Sequence, residues 1–396
     1  MMKGWQQKQL GKLAELKGRI GWRGLTAKEY TNSGPLFLSV HSLNYGDYVD
    51  FRDAFHISEE RYVESPEIML QPDDVLICKD GAGIGKIGIV GTLPDRTTIN
   101  SSLLLIRSGD QILPKFLYRC LSSPYFQQIV NSRLNGATTP HLYQRDITEF
   151  PVVLPPIPEQ HRIVGILDEA FEGIAAAKAN AKKNLQNARA LFESHLHSVF
   201  TQRDKGWAET TLGKVCEFVG GSQPPKSVFS KSKNADNIRL IQIRDYKSDG
   251  HVVYIPRAQA RRFCNVYDVM IGRYGPPLFQ ILRGLEGAYN VALMKAVPDE
   301  SKLSRDFLFY FLKHSTILQY VIYHSERAAG QIGLTKETLE PYPIALPSLP
   351  VQQTVVETIT ELETETQRLA SLYEQKLVAL DELKKSLLHQ AFTGNL

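Results

Sequence analysis

The chain has 396 residues, 43% hydrophobic and 22% charged, and a formal net charge of +4. That length favours two or three folding units, and so mild a basic excess means that any nucleic-acid surface has to be local. No run approaches the roughly 18 apolar residues of a membrane span, the opening MMKGWQQKQLGKLAELKG has no apolar core of signal-peptide length, and Cys78, Cys120, Cys216 and Cys264 lie far apart with no C-x-x-C pair, so the expectation is a cytoplasmic chain without membrane contact, zinc cage or disulfide framework.

In chain order the first elements are short β-type runs bounded by turn residues: PLFLSV (35–40), DVLICK (74–79), IGIVGT (87–92) and SLLLIR (102–107). ILPKFLYRCLSSPYFQQIV (112–130) follows with apolar residues at helical spacing, which puts Phe116 and Cys120 on an inner face and makes its aromatics core rather than a base-stacking platform. A proline-punctuated stretch, LPPIPEQHRIV (154–164), then opens a run in which Ile163, Leu167, Ala170, Ile174, Ala177, Ala181, Leu185 and Ala188 step by fours and threes. Such stepping is a heptad seam.

After this run the pattern begins again. Gly4-Trp5 and Leu10-Gly11-Lys12-Leu13 recur 202 positions on as Gly206-Trp207 and Leu212-Gly213-Lys214-Val215. Asp74-Val75-Leu76-Ile77 matches Asp268-Val269-Met270-Ile271, and Phe116-Leu117 matches Phe307-Leu308 within SRDFLFYFLKHSTILQYVI (304–322), where Phe311 also faces inward. LPSLPVQQTVV (346–356) repeats the proline stretch at an offset of 192. The offset drifts because duplicated copies diverge in their loops. Adding 192 to the seam gives Val355, Ile359, Leu362, Thr366, Leu369, Tyr373, Leu377 and Leu380. Pro158 and Pro350 sit just before or at the helix starts, where a missing N–H costs nothing, and each helix should run about 40 residues, or roughly 60 Å. The alanines at 170, 177, 181 and 188 facing leucines and a tyrosine suit two unlike helices in close contact. The expected fold class is therefore α+β: two globular domains related by internal duplication, at 1–154 and 203–346, separated by two long helices, at 155–202 and 347–396, paired as an antiparallel coiled coil if a pseudo-twofold axis relates the halves. Two separate helices, each lying on its own domain, are the alternative.

Catalytic motifs fail on inspection. KDGAGIGKIG places Asp80 where a phosphate loop needs glycine and Ile87 where it needs a hydroxyl, so its glycines are expected to serve a tight turn between strands. Asp168-Glu169-Ala170-Phe171 resembles the acidic box of a nucleic-acid motor but lies in the seam, which makes Ala170 a knob and the acids a solvated face. Pro72-Asp73-Asp74 with Lys79 lacks the second acid of a metal-dependent nuclease core, since Ile77 stands there. The ten histidines offer no zinc-hydrolase pairing, with His195 and His197 expected at the surface or in helix packing, and no G-x-S-x-G elbow occurs. Nothing in the chain argues for an enzyme.

The order of domain, L-P-P-x-P-E-Q-x-x-I-V, long helix, second domain, L-P-x-L-P-x-Q-Q-x-x-V, long helix resembles the specificity subunit of type I DNA restriction-modification systems, over the whole chain. Further shared marks are the W-x(4)-L-G-K opening of each half at Trp5 and Trp207, Gly-Gly-Ser-Gln-Pro at 220–224, the D-V-L-I strand, and Gly136-Ala-Thr-Thr-Pro-His-Leu142. The second half departs from the pattern in Gly330-Gln-Ile-Gly-Leu334 and in Val351, which replaces the glutamate of P-E-Q. The resemblance implies two target-recognition domains that each read half of an asymmetric, bipartite site on double-stranded DNA, fixed on a rigid spacer. It implies two methyltransferase subunits docked on the helices, and restriction and translocase subunits joining for cleavage. S-adenosylmethionine is expected on the methyltransferase for N6-adenine methylation, with no cofactor, metal or catalytic residue in this chain.

Recognition needs donors and acceptors for base edges and cations for phosphates. In the first half the candidates are Arg133, Asn135, Thr138, Thr139, His141, Tyr143 and Arg145, together with Arg23 in the loop after the opening strand and Lys79 at the end of a strand. Their second-half counterparts are Arg327, Gln331 and Lys336, Gln223 and Lys226, and Arg273 with Tyr274. For each, a solvated surface residue or turn former is the competing reading. Two further readings stay open for the whole chain: a coiled-coil adaptor with two protein-binding domains and no DNA target, and an enzyme with an unfamiliar site.

Overall fold

The computed structural model describes residues 4–18, 25–134, 141–201, 206–326 and 333–396. The first half contributes strands β1 (Gln6–Gln9), β2 (Ala14–Lys17), β3 (Thr31–Leu38), β4 (Phe55–His56), β5 (Val75–Cys78), β6 (Ile87–Ile89), β7 (Thr97–Ile99), β8 (Leu103–Ser108) and β9 (Pro151–Leu154), with helices α1 (Glu59–Val63), α2 (Pro114–Leu121), α3 (Pro124–Leu134) and α4 (Gln144–Thr148). Helix α5 (Ile157–Thr201) follows. The second half contributes β10 (Ala208–Thr211), β11 (Cys216–Gly220), β12 (Asn237–Ile241), β13 (Tyr254–Pro256), β14 (Phe263–Cys264), β15 (Val269–Gly272), β16 (Gln280–Leu282), β17 (Gly287–Tyr289), β18 (Leu293–Pro298) and β19 (Pro343–Leu346), with α6 (Leu212–Val215), α7 (Arg305–Lys313), α8 (Ser315–Glu326) and α9 (Lys336–Leu339). Helix α10 (Leu349–Thr393) ends the chain.

The duplication extends to strand pairing. In the first half an antiparallel sheet runs in the order β2-β8-β5-β6, and in the second β11-β18-β15-β16 takes the same order. Each half also holds a second sheet built on one parallel pair, β3 with β7 in a smaller sheet of three strands and β12 with β17 in one of four. A two-stranded clasp closes each half: Gln6 pairs with Leu154, and Ala208 with Leu346.

The central strands read as unbroken apolar runs because both of their faces are covered. Along β5, Val75 and Ile77 join the core that faces α2 and α3, whereas Leu76 and Cys78 join a second core beneath the smaller sheet. On β15 the same division sends Val269 and Ile271 one way and Met270 the other. Successive side chains of a strand point to opposite faces, so two buried faces demand apolar residues at every position.

The long helices are cut by the compact units. One unit comprises residues 1–181 and 375–396, the other 182–374. In the first, Ile163, Leu167, Phe171 and Ile174 of α5 share a core with Leu388, Ala391 and Phe392 of α10. Arg162 donates to the Leu396 carbonyl at 2.8 Å and Lys178 to Asp381 at 2.6 Å, so numbers rise on one helix as they fall on the other. In the second unit Leu196, Phe192 and Phe200 share a core with Val355, Val356 and Ile359, and Arg189 meets Glu374 at 2.8 Å. The helices are therefore paired antiparallel, as the duplicated seam implies, and every seam position is buried or half-buried. The alternative of two separate helices, each on its own domain, does not hold, although each helix segment also completes a globular core while lying on its partner helix.

Asp168 is no solvated acid: its carboxylate accepts from Arg119 at 2.8 Å and Lys115 at 3.0 Å, tying α5 to α2. Arg119 also donates to Asp47. The heptad pattern shows which face of α5 is buried but not that a cation from another element reaches over its edge. In the second half the corresponding tether is built differently, with Tyr310 and Lys313 of α7 donating to Glu363 of α10 at 2.8 and 2.7 Å.

The repeated proline stretch has a structural purpose that lies in its glutamine. Gln160 is fully buried; its Oε1 accepts from the Leu113 N–H at 2.8 Å, while Nε2 donates to the Gln111 and Pro155 carbonyls at 2.9 Å each. Gln352, 192 residues later, is equally buried; it accepts from the Ser304 N–H at 2.9 Å and donates to Lys302 and Pro347 at 2.7 and 3.0 Å. Each amide locks the first turn of a long helix to the loop ahead of α2 or α7, satisfying backbone groups that burial would otherwise leave unpaired.

Candidate nucleic-acid interface

In each half one loop cluster gathers around the end of the central strand. In the first half, Lys79 follows β5; its N–H donates to the Ser102 carbonyl at 2.8 Å and its carbonyl accepts from the Leu142 N–H at 3.0 Å. That second bond draws the segment ahead of α4 to the strand end. The contact is reinforced by a hydrogen bond between His141 Nδ1 and the Asp80 carboxylate, and His141 meets the Tyr143 ring edge-on at 4.6 Å. Tyr143 is 61% exposed, and Arg145, at the start of α4, is exposed beside it. The structure thus brings Lys79, His141, Tyr143 and Arg145 together. Arg133 lies on α3, and its side chain is outside the described residues, as are Arg23, Asn135, Thr138 and Thr139.

The glycine-rich turn after β5 is a turn between paired strands. Gly81 and Gly85 take φ of +79° and +83°, which favour glycine. A Cβ on Gly83 would stand 2.5 Å from Val40, and the Gly85 N–H is spent on the Cys78 carbonyl at 2.9 Å.

In the second half the same backbone bond recurs with different side chains. Arg273 follows β15, and its carbonyl accepts from the Leu334 N–H at 3.0 Å. The guanidinium turns back to donate to the carbonyls of Leu334 at 2.8 Å and Val291 at 3.3 Å, so Arg273 holds the loop in place with much of its donor capacity. Tyr274 beside it is 40% exposed, and Lys336 is exposed at the start of α9. Arg327 and Gln331 fall outside the described residues. Gln223 and Lys226 line a hollow of about 860 Å³ with Gln242 and Arg244, two residues that the sequence reading did not single out. Lys79, Arg145, Lys226, Arg244 and Lys336 form no ion pair with any described residue, in contrast to Arg107, Arg119, Arg239 and Arg283, each of which meets a carboxylate.

The loop clusters thus combine uncommitted cations with amide, hydroxyl and imidazole groups. Elsewhere, burial pushes the thiols of Cys120, Cys216 and Cys264 up to about 12, far from a reactive thiolate. Among the described residues no three His, Cys, Asp or Glu side chains cluster as metal ligands, and no helix is long and apolar enough to cross a membrane.

A duplicated domain that presents polar, partly cationic loops at equivalent strand ends, with different side chains in each copy, defines a scaffold of two related but chemically unlike modules. The type I restriction modification DNA specificity domain matches residues 2–187 and 204–374, and the chain belongs to that family. Its role is DNA-sequence specificity that directs a type I restriction-modification complex. The chain is 22% identical to a putative type I restriction enzyme MjaX specificity subunit of Methanocaldococcus jannaschii, over 99% of this chain and 93% of that one. Its fold matches that of a chain from a study of complex assembly and conformational transition of the type I R-M system, with a TM-score of 0.81 and 21% identity over 100% and 99% of the two chains. The HsdS subunit from Thermoanaerobacter tengcongensis matches with a TM-score of 0.61 and 20% identity over 100% and 98%.

Proposed function

We propose that each domain of this chain reads one half of an asymmetric, bipartite site on double-stranded DNA, and that the chain delivers two methyltransferase subunits, and with them restriction and translocase subunits, to that site. The observation that carries this reading is the pair of equivalent backbone bonds, Leu142 to Lys79 and Leu334 to Arg273, that hold chemically different loops at the same place in each copy. A scaffold shared by both halves but carrying different side chains suits two half-sites of different sequence. Lys79, Arg145, Lys226 and Lys336 would meet phosphates, while His141, Tyr143, Gln223 and Tyr274 would address base edges or stack. Arg23, Arg133, Asn135, Thr138, Thr139, Arg327 and Gln331 remain candidates for the same tasks, and Arg273 divides its donors between loop and DNA. S-adenosylmethionine would bind the methyltransferase, which would flip and methylate adenine; this chain would contribute position, not chemistry. Family membership supports DNA recognition and lends nothing to the adaptor reading.

The test is selection of binding sequences from a randomised duplex pool by the chain in complex with its partner methyltransferase. Two constant segments of unlike sequence flanking an unread stretch are expected. Enrichment of one contiguous motif, or of none, would overturn the proposal.

A further inference from the structure

The hollow beside β12 is lined from two separate segments. Gln223 and Lys226 come from the loop after β11, with Pro224, Pro225 and Phe229 as an apolar wall, and Gln242 and Arg244 come from the short turn that follows β12. Two polar groups there have no partner within the protein, one buried and one open to solvent. The Gln242 Nε2 is shut off from solvent yet has no hydrogen-bond partner. Arg244 is exposed and, among the described residues, its side chain makes no hydrogen bond or ion pair. Its neighbour Asp245 lies near enough for the two charges to attract but makes no hydrogen bond to it, its carboxylate accepting instead from the Gln242 N–H at 3.0 Å and standing 3.9 Å from Arg239. A buried donor without an acceptor is a standing cost that an incoming acceptor would lift.

The first half repeats the arrangement with other side chains. The last residue of β3, Leu38, accepts from the Asn100 N–H at 2.9 Å, and the last residue of β12, Ile241, accepts from the Asn290 N–H at 3.1 Å. Counting one and three residues beyond these strand ends gives Ser39 and His41 in the first domain, and Gln242 and Arg244 in the second. The Ser39 hydroxyl is likewise buried without a partner, and His41 is likewise exposed. Equivalent positions thus hold an unsatisfied buried donor and an exposed cationic or imidazole group in both copies, while the chemistry differs.

Resting on the DNA-reading role proposed above, we infer that Gln242 and Arg244 are specificity-determining residues of the second domain, and that Arg244 reads the O6/N7 edge of a guanine in the major groove. The geometry of a guanidinium suits that edge, and the Gln242 amide, once turned out of its buried position, carries the donor and acceptor for the N6/N7 edge of an adenine. Lys226 supplies a phosphate contact at the rim.

The randomised-duplex selection, repeated on the intact complex with Arg244→Ala, Gln242→Ala and Lys226→Ala, tests this directly. Arg244→Ala should abolish preference for guanine at one position of one half-site, reducing discrimination there about 5- to 150-fold, and leave the other half-site unchanged. Gln242→Ala should relax a neighbouring position of the same half-site. Lys226→Ala should weaken binding to all sequences alike and flatten the salt dependence. Unfolding midpoints of the variants, measured alongside, separate misfolding from lost contacts, and Arg244→Lys distinguishes bidentate reading from charge, since it should keep affinity but not guanine preference. A variant set that binds the full parental motif with parental selectivity would overturn this inference while leaving the bipartite reading intact. Failure of the parental chain to select any two-part motif would instead overturn the reading on which it rests.

Discussion

Replacing Gln160 by leucine would remove the amide while nearly conserving volume. Three buried hydrogen bonds would go, leaving the Leu113 N–H and the Gln111 and Pro155 carbonyls without their partner. An unsatisfied buried group costs about 1–3 kcal/mol, carbonyls less than N–H groups because they often find a second donor, so a total loss of about 2–5 kcal/mol is expected. Gln352→Leu should cost a similar amount, because Gln352 makes the same three bonds to Ser304, Lys302 and Pro347. Urea unfolding of each variant, followed by tryptophan fluorescence, gives the change in midpoint. Trp5 packs against the first core and Trp207 against the second, so a single-tryptophan background reports each unit separately. A loss below about 0.5 kcal/mol in either variant would refute the argument that these amides lock the helices to the domains.

Burial pushes the Asp168 carboxyl up, but the bonds from Arg119 and Lys115 outweigh it and hold it below the usual carboxylate range. A carboxylate with a depressed folded pKa stabilises fully above its unfolded value of about 3.9 and ceases to do so as pH falls through the folded value. Asp168→Asn should therefore lower stability by about 1–2 kcal/mol at pH 7, and the gap should close below about pH 4 in an acid titration; a pH-independent gap would contradict the ion pair. Leu167, fully buried on α5, should cost about 2–5 kcal/mol on truncation to alanine, read by thermal unfolding. A Cβ on Gly221 would lie 1.8 Å from the Asn290 carbonyl oxygen, so Gly221→Ala should destabilise the second unit by about 2–4 kcal/mol through forced backbone movement. His141→Ala, which removes the bond to Asp80, should weaken DNA binding with little change in unfolding midpoint; equal affinity would show that the loop holds its place without it.

The parts of the fold most legible in the sequence are those with a period. The seam from Ile163 to Ala188 and its copy from Val355 to Leu380 mark the buried faces of both long helices, because a 3.5-residue repeat follows directly from helix geometry. DVLI and its copy DVMI stand out as strands because two covered faces force apolar residues throughout. The duplication itself survives in Trp5 and Trp207, Gly11 and Gly213, and the proline stretches. Gly221, in the Gly-Gly-Ser-Gln-Pro mark, has no room for a side chain. Contacts between distant segments leave no such trace. Asp168 looks like a surface acid until Arg119 is placed over it, and nothing in the spacing of Asp80 and His141 announces their bond. Gln160 did leave a signal: it is the one polar residue kept between LPPIPEQHRIV and LPSLPVQQTVV. Gln242 and Arg244 left none in their own half, since their position becomes meaningful only when the ends of β3 and β12 are superposed through Asn100 and Asn290. The adjustment of the helices from spacers to shared core follows from pairing: an antiparallel partner brings Leu388 and Phe392 back to the domain that α5 leaves.

Whether this chain supplies sequence specificity to an adenine methyltransferase through two unlike domains can be decided by mapping N6-methyladenine genome-wide in cells expressing the chain with its partner methyltransferase subunit, against cells expressing the methyltransferase alone. An asymmetric, two-part motif that appears only when this chain is present is expected. Identical methylation in both cultures, with both proteins expressed and soluble, would contradict it.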